Sequence, residues 1–258
     1  MAYTPLVDLS LLQIGALMVA ALLAGVVDAI AGGGGLLTLP ALLAAGLPPH
    51  LALGTNKGQS AFGSGAALAN FARAGLVDRT LAPLTFPLGL LGSLSGAALV
   101  LLVRPDVLKP VVLVLLVAVA AFLAFRPPVV QRDAPPLARA RAIAALLALG
   151  IGTYDGFFGP GTGTFLIVGF VGLLGQPMAH ASANAKVVNF ASNLAAVALF
   201  AGRGVILWQV ALPMAAAQFA GGVLGSQMAV RGGDVLVRRV VLLVVGALCL
   251  ELGYDLLA

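Results

Sequence analysis

Charged residues are scarce in this chain: they make up only 9% of its 258 residues, whereas 61% are hydrophobic. A soluble domain carries about 25% charged residues, which cover its surface in water. The apolar stretches between the charged clusters are about 15 to 25 residues long, the length that crosses a bilayer as a helix. The composition therefore excludes a water-soluble globule and predicts an all-α integral membrane protein.

Cysteine and histidine are also rare, with Cys249 as the single cysteine and two histidines in all. A disulfide framework and a thiolate metal cluster are excluded, and we predict no metal site and no cofactor. The net charge of +5 does not indicate nucleic-acid binding, because the arginines lie at segment ends, where they orient helices in the membrane. Met1 to Ser10 contains no Lys or Arg, so we expect no cleaved signal peptide.

The chain contains an internal repeat, which is visible at a constant offset. Asp28 matches Asp155 at an offset of 127 residues, and Lys57 matches Lys186 at an offset of 129. Glycines and a Val-Arg pair match in the same order. We predict a first transmembrane repeat at 1–126, an Arg- and Pro-rich cytoplasmic linker at 127–137 and a second transmembrane repeat at 138–258.

Each repeat is predicted to contain about five helical segments, of which the second is short and resembles a half-helix. The segments lie at about 11–31, 36–47, 50–72, 82–103 and 107–125, and again at about 138–157, 163–175, 180–202, 206–230 and 235–257. If all ten cross the membrane, the Arg and Lys residues of the connections divide nine to three between its two sides. If the short segments turn back, the division is seven to five.

The positive-inside rule favours the more uneven division, with both termini outside the cytoplasm. Five crossings in each half give two repeats of inverted topology, the common architecture of secondary transporters. Eight full crossings with two re-entrant pieces is the alternative.

Two of the three lysines, Lys57 and Lys186, occupy matched positions inside apolar segments, where a charge costs about 2.5 to 3.5 kcal/mol at a helix centre. Polar residues recur on the same helical face as each lysine. We predict that the two stripes converge on an anionic substrate, whereas snorkelling or structural pairing with an aspartate is the alternative. The polar residues assigned to substrate binding are Thr55, Asn56, Gln59, Ser60, Asn184, Asn189 and Asn193.

Glycine-rich breaks occur near the start of the short segment in both repeats, at 32–35 and at 159–163. A helix that starts after such a break presents free N–H groups and a positive dipole end, and glycine lets an anion approach closely. The alternative is that the glycines only allow close helix packing in lipid. The break residues assigned to anion binding are Gly33, Gly34, Gly161, Thr162 and Gly163, with Thr38 and Thr164 as further hydroxyl donors.

Asp28 and Asp155 each lie four residues before a glycine break. They could carry a coupled proton, because burial favours the neutral form of a carboxyl group. Equally, each could neutralise Lys57 or Lys186 when substrate is absent, or hydrogen-bond the broken backbone. The two histidines lie near the turns into the lysine-bearing segments and are interpreted as interfacial.

The motifs do not support an enzymatic function. Tyr154-Asp155 followed by Gly161-Thr-Gly163 resembles the motifs of intramembrane aspartyl proteases, but Thr164 stands where the second aspartate is needed. No G-x-S-x-G elbow is present in the sequence. A dinucleotide site needs a soluble βαβ unit around its glycines, which this composition excludes.

Several motifs together carry a family resemblance: an acidic residue before each glycine break, Leu53-Gly-Thr-Asn-Lys57-x-Gln59-Ser60, Gly75-Leu-Val-Asp78 and Ala183-Asn-Ala-Lys186. Over about residues 11–255, the sequence resembles the TauE/SafE sulfite exporter family. The second copy departs from the family pattern, in which Thr-Ser-Lys is more usual than Asn-Ala-Lys. The resemblance implies a multi-pass transporter of the bacterial inner membrane for small sulfur-containing anions, such as sulfite or organosulfonates.

We therefore expect a secondary transporter that works by alternating access around a site between the repeats. A channel-like anion pore, a transporter of carboxylate-type anions and a structural membrane subunit are the alternatives. Its expected partners are the small anion, the lipid bilayer and protons. The sequence does not decide whether the protein forms a homodimer. An interior-negative potential drives an anion out of the cell without a coupled cation, whereas import would need one.

Overall fold

The computed structural model describes residues 9–125, 130–131 and 133–257, without the side chains of 123–124 and 233–257. All regular structure in these residues is helical. The helices are α1 (Leu11–Ala31), α2 (Gly35–Ala44), α3 (Pro49–Arg73), α4 (Ala82–Leu102), α5 (Pro105–Phe125), α6 (Leu137–Phe157), α7 (Thr162–Leu174), α8 (Met178–Gly202) and α9 (Trp208–Leu257). The described part of the chain thus has the all-α fold that the composition predicts.

Nine helices replace the ten predicted segments within the described residues, because the segments at 206–230 and 235–257 form the single helix α9. The corresponding boundary in the first half contains Pro105, which opens α5 and forces the residue before it out of the helical conformation. The second half has Gly232-Gly233 at this boundary. Glycine weakens a helix but keeps its N–H, so the helix continues. Cys249 lies where side chains are not described.

The predicted linker is only partly described, since 126–129 and 132 fall outside the described residues. Residues 130–131 and 133–136 are not helical, and α6 begins at Leu137. Of the predicted N-terminal features, residues 1–8 also fall outside the described part. In α1, Ser10 and Gln13 form a capping box, which satisfies the first N–H groups of that helix.

Five described helices are long and apolar enough to span a membrane: α1, α4, α5, α6 and α8. The two short helices differ, since α2 has 10 residues and α7 has 13. At about 1.5 Å per residue they are about 15 and 20 Å long, less than the bilayer core of about 30 Å. Each short helix is therefore shorter than the bilayer core is thick.

Helices α1, α3 and α9 run in the same direction. Gly63 of α3 lies against the Gln218 carbonyl of α9, and Asn70, further along α3, donates a 2.9 Å hydrogen bond to Ser226. A Cβ added to Gly221 or Gly225 of α9 would overlap the backbone of α1 at successive turns. Small residues therefore allow these helix backbones to approach closely, as is common in membrane bundles.

Helices α4, α6 and α8 run together in the opposite direction. A Cβ on Gly152 would lie 2.8 Å from the Gly89 carbonyl oxygen, and one on Gly156 would overlap the Ser93 carbonyl. The Ser93 hydroxyl also donates a 2.7 Å hydrogen bond to the Ser192 carbonyl of α8. Two contacts show that α8 runs antiparallel to α3. The start of α8 meets the chain beyond the end of α3, and the middles of the two helices pair.

Each short helix folds back beside a long one. Thr38 of α2 donates a 2.6 Å hydrogen bond to Asn56, which lies well inside α3, and the turn at 45–48 connects the two helices. Because α3 runs parallel to α1, α2 runs back against α1. The chain therefore forms a helical hairpin whose tip is the glycine break.

Candidate functional site

The two glycine breaks meet in the interior of the bundle. Gly32, Gly33, Gly159 and Gly161 have φ values of 72°, 99°, 101° and 86°, a backbone region that L side chains rarely adopt. A Cβ on Gly32 would overlap the backbone of Gly163, so the two hairpin tips touch. Glycine is needed here both for the turn and for the close approach.

A polar pocket of about 330 Å³, including its open mouth, lies beside these tips. It is lined by residues of both halves: Asp28, Gly33, Gly35, Asn56, Lys57, Ser60, Asp155, Gly159, Gly161, Thr162, Gly163, Asn189 and Asn193. All of these residues are polar, charged or glycine. The pocket therefore presents polar groups from both halves to a small ligand.

Lys57 lies at this pocket and pairs with the opposite half. Its Nζ is 2.7 Å from Oδ1 of Asp155, and it donates a 3.2 Å hydrogen bond to Oδ1 of Asn193. The same Asp155 oxygen accepts a 2.8 Å hydrogen bond from the Thr162 hydroxyl. Asn193 in turn donates to Ser64 at 3.1 Å, so the two predicted polar stripes are in contact.

The second lysine forms the reciprocal pair. Lys186 donates a 2.8 Å hydrogen bond from Nζ to Oδ2 of Asp28, and its side chain has no exposed surface. Asp28 lines the pocket, whereas Lys186 is not among the lining residues. Hydroxyl groups of the second half also satisfy the last carbonyls of α1, since Thr164 donates to Ala31 and Ser182 donates to Ala29.

Both ion pairs therefore join one half of the chain to the other. A buried charge without a partner is costly, and breaking such a pair by removing one member costs about 3 to 5 kcal/mol. In this state each lysine forms an ion pair with an aspartate of the other half, as in one of the three alternatives that the sequence left open. Among the pocket-lining residues, the charged ones are Asp28, Lys57 and Asp155.

Some residues predicted to bind substrate have other partners. The Thr55 hydroxyl accepts a 3.0 Å hydrogen bond from the Leu207 N–H at the start of α9. Asn184 accepts one from the Asp78 N–H at 2.8 Å, and Gln59 donates to Asn56 at 3.1 Å. Gly34 packs against α1. These four residues do not line the pocket. Thr55, Asn184 and Gly34 contact neighbouring segments, whereas Gln59 bonds within α3.

Two pocket residues, Gly35 and Gly159, were not among the individual residues assigned to the site, although both lie inside the quoted glycine breaks. The run of glycines in each break is the sequence feature that could have identified these two residues. The histidines contact backbone at helix ends, with His50 near the Val100 carbonyl at 3.1 Å and His180 near the Leu76 carbonyl at 3.0 Å. Neither lines the pocket.

The chain is similar to known membrane proteins over nearly its whole length. The family described as sulfite exporter TauE/SafE matches residues 17–252. A probable membrane transporter protein, ORF9, of Sinorhizobium sp. is 40% identical over 249 residues, which cover 96% of this chain and 95% of that protein. The probable membrane transporter protein YfcA of Escherichia coli K12 is 37% identical over 253 residues, or 98% and 94% of the two chains.

A probable membrane transporter protein of Haemophilus influenzae is 39% identical over 234 residues, which are 90% of this chain and 91% of that protein. No solved structure matches the chain. The relatives are transporters rather than enzymes, in agreement with the missing second aspartate of the protease-like motif. The chain therefore belongs to the TauE/SafE sulfite exporter family of multi-pass membrane transporters.

Proposed function

We propose that this protein is a secondary transporter of small organosulfur anions, such as sulfite or sulfonates, in a bacterial inner membrane. The observation that carries the proposal is Lys57, a cation that lines a small polar pocket where two glycine-rich hairpin tips meet. The family name and the relatives' names support transport. The pocket supports a small anion as the cargo.

The pocket supplies three kinds of anion-binding group. Lys57 provides a positive charge, and the amides of Asn56 and Asn189 provide donors at the pocket wall. Gly35 and Gly163, in the first turns of α2 and α7, also face the pocket. Because first-turn N–H groups have no partner within their helix, and because helix dipoles favour negative charge there, two helix starts would strengthen anion binding.

The Lys57–Asp155 ion pair must be exchanged before an anion can bind to this lysine. Lys57 is already neutralised by Asp155 at 2.7 Å, so an incoming anion must take over this lysine from the carboxylate. Oxyanions with several acceptor oxygens can contact Lys57 and the helix starts at once, whereas Asp155 reaches only one side. The proposed site therefore selects compact anions with spread charge, which describes sulfite and sulfonate groups.

Alternating access is supported by the directions of the helices. Helices α1 and α3 run opposite to α6 and α8, as two inverted repeats would require. The proposed repeat also agrees with reciprocal contacts, because each half supplies the aspartate for the lysine of the other. Rocking of one half against the other would open the pocket to alternate sides. The Arg-rich linker is proposed to lie in the cytoplasm.

Uptake into liposomes tests the proposal. The purified protein is reconstituted, and uptake of labelled sulfite, methanesulfonate, isethionate and taurine is compared with that of sulfate and acetate. A carrier shows saturation and counterflow, whereas a channel-like pore shows neither. Preferred uptake of acetate would instead support a carboxylate transporter.

Substitution of the proposed anion-binding lysine tests the site. Lys57→Ala is expected to lower anion flux by at least about a hundredfold, since a charge-assisted contact in a low-dielectric site is removed. Lys109→Ala is the matched control, because Lys109 is exposed on α5. Folded Lys57→Ala protein with wild-type flux would contradict the site assignment.

A further inference from the structure

We propose that Asp155 is a proton-binding site and that one proton accompanies each monovalent anion through the transporter. This inference rests on the proposed function and deepens it. Lys57 exchanges its carboxylate partner for the anion, and the released Asp155 takes up a proton on its oxygen. Anion transport is then coupled to proton transport in the same direction.

An unpartnered oxygen on Asp155 is the first observation. Oδ1 of this carboxylate is close to Lys57 and Thr162, but Oδ2 is buried and has no hydrogen-bond partner among the residues that the structure describes. Buried carboxylate oxygens are normally satisfied. When Lys57 turns to the anion, Asp155 keeps only the Thr162 hydroxyl, and a buried charge with so little compensation is unstable. Protonation removes that charge.

The two Lys–Asp pairs are not equivalent, which assigns the role to Asp155 rather than to Asp28. Lys57 and Asp155 both line the pocket, whereas Lys186 does not. Lys186 is fully buried and would have to leave Asp28 to reach an anion. Asp28 therefore keeps its lysine during binding, and its charge remains compensated.

The other charged groups around the site do not take over proton binding from Asp155. Asp155 contacts Lys57 of α3 directly, and Asp28 of α1 also lines the pocket and pairs with Lys186 of α8. From α7 the facing group is the neutral Thr162 hydroxyl. With Asp28 and Lys186 neutralising each other, Asp155 is the acidic group that loses its partner.

Charge is conserved in the exchange. Before binding, the positive Lys57 and the negative Asp155 sum to zero. Afterwards, the positive Lys57, the monovalent anion and the neutral, protonated Asp155 also sum to zero. Binding of the anion and the proton is therefore electrically balanced at the site, which avoids moving a net charge through the low-dielectric interior.

The test uses an anion that cannot itself carry the proton. Methanesulfonate, the anion of a strong acid, is added outside proteoliposomes that contain a trapped pH indicator. Uptake of the labelled anion is measured in parallel. For the wild-type protein we expect internal acidification of about one proton per anion and no change of flux under an imposed potential, because a neutral step is insensitive to voltage.

In Asp155→Asn and Asp155→Ser, whatever their rates of anion transport, the ratio of protons to anions is expected to fall by at least about tenfold and the flux to become sensitive to voltage. Asp28→Asn is expected to keep the ratio of protons to anions, whatever its rate. Loss of the proton signal in Asp28→Asn but not in the Asp155 variants would overturn the assignment.

The failure of this inference is separable from that of the proposed function. Wild-type flux without acidification overturns proton coupling and leaves anion transport intact. No flux with any tested sulfonate or sulfite overturns both. If neither Asp155 variant is recovered folded, the wild-type measurement decides: voltage-sensitive flux without acidification overturns the inference, and voltage-insensitive flux with one proton per anion supports it.

Discussion

The two Lys–Asp pairs have the same chemistry and occupy matched positions, yet they lie in different environments. Lys57 and Asp155 face the pocket and share extra hydrogen bonds with Asn193 and Thr162. Lys186 is sealed, and only Asp28 of that pair reaches the pocket. Similar pairs at matched sequence positions can thus lie in different environments, and under our proposal one pair exchanges partners while the other holds the halves together.

The sequence around each pair shows how the asymmetry arises. Thr162 hydrogen-bonds Asp155, but the matched position in the first half is Gly35, which has no side chain to offer. Likewise Asn193, which contacts Lys57, matches Ser64. Because serine is shorter than asparagine and Gly35 lacks the threonine hydroxyl, the Lys186–Asp28 pair has fewer polar neighbours. Lys186 is therefore less suited than Lys57 to leave its aspartate.

The largest expected effect that separates the pairs is on stability. Lys186→Met keeps the length of the side chain but leaves Asp28 without its cation, and we expect a loss of about 3 to 5 kcal/mol in the free energy of unfolding. Lys57→Met is expected to lose less, because Asp155 keeps the Thr162 hydroxyl as a partner.

The measurement is thermal or denaturant unfolding of the purified protein in detergent, with exposed Lys109→Met as the control. An equal loss for the Lys57 and Lys186 variants would break the comparison between the two pairs.

Double-mutant cycles measure the coupling energy within each Lys–Asp pair, and the expected difference between the pairs is of intermediate size. Coupling energies between contacting residues are about 0.5 to 3 kcal/mol, and we expect the sealed pair, tested with Lys186→Gln and Asp28→Asn, to lie at the upper end. The pocket pair, tested with Lys57→Gln and Asp155→Asn, should lie lower.

The surface pair of Arg104 and Asp106 is the reference for these cycles, since its atoms are 3.6 Å apart and both side chains are largely exposed. Pairs of this kind contribute little, because water and salt screen them. Coupling in the pocket pair that exceeds that of the sealed pair would reverse our interpretation.

The smallest expected effect concerns the positioning of Lys57. Asn193→Ala removes the 3.2 Å hydrogen bond to this lysine, and loss of a hydrogen bond to a charged group costs about 1.5 to 3 kcal/mol. Part of this energy orients Lys57 towards the anion, so we expect the half-saturating anion concentration to rise about tenfold.

Asn70→Ala is the matched control, because Asn70 also bonds a neighbouring helix, at Ser226, but does not line the pocket. A similar rise in both variants would show that Asn193 acts only through packing. Transport kinetics in liposomes distinguish these outcomes.

Most of the helical layout was predictable from the sequence, since long apolar runs with terminal arginines leave few alternatives. The exception is α9, where the charged Arg231 and Asp234 suggested a boundary that the structure does not show. Two glycines without a proline did not end the helix, and periodicity alone does not distinguish a continuous helix from two segments at such a point.

The candidate site was predictable in part. Lys57, Asn193 and the glycine breaks were visible because polar and flexible residues are conspicuous in apolar segments. Thr55 and Asn184 were conspicuous for the same reason, but they satisfy backbone N–H groups of other segments. Sequence spacing along one helix does not show which partner the next helix brings to each side chain.

The residues alone identify this chain as a membrane protein, because 9% charge cannot cover a soluble protein. They also show that two lysines and two aspartates recur at matched positions. The fold was needed to show that each lysine pairs with the aspartate of the other half and that one pair faces the pocket. Burial and pairing depend on neighbouring helices, and those helices are distant in sequence.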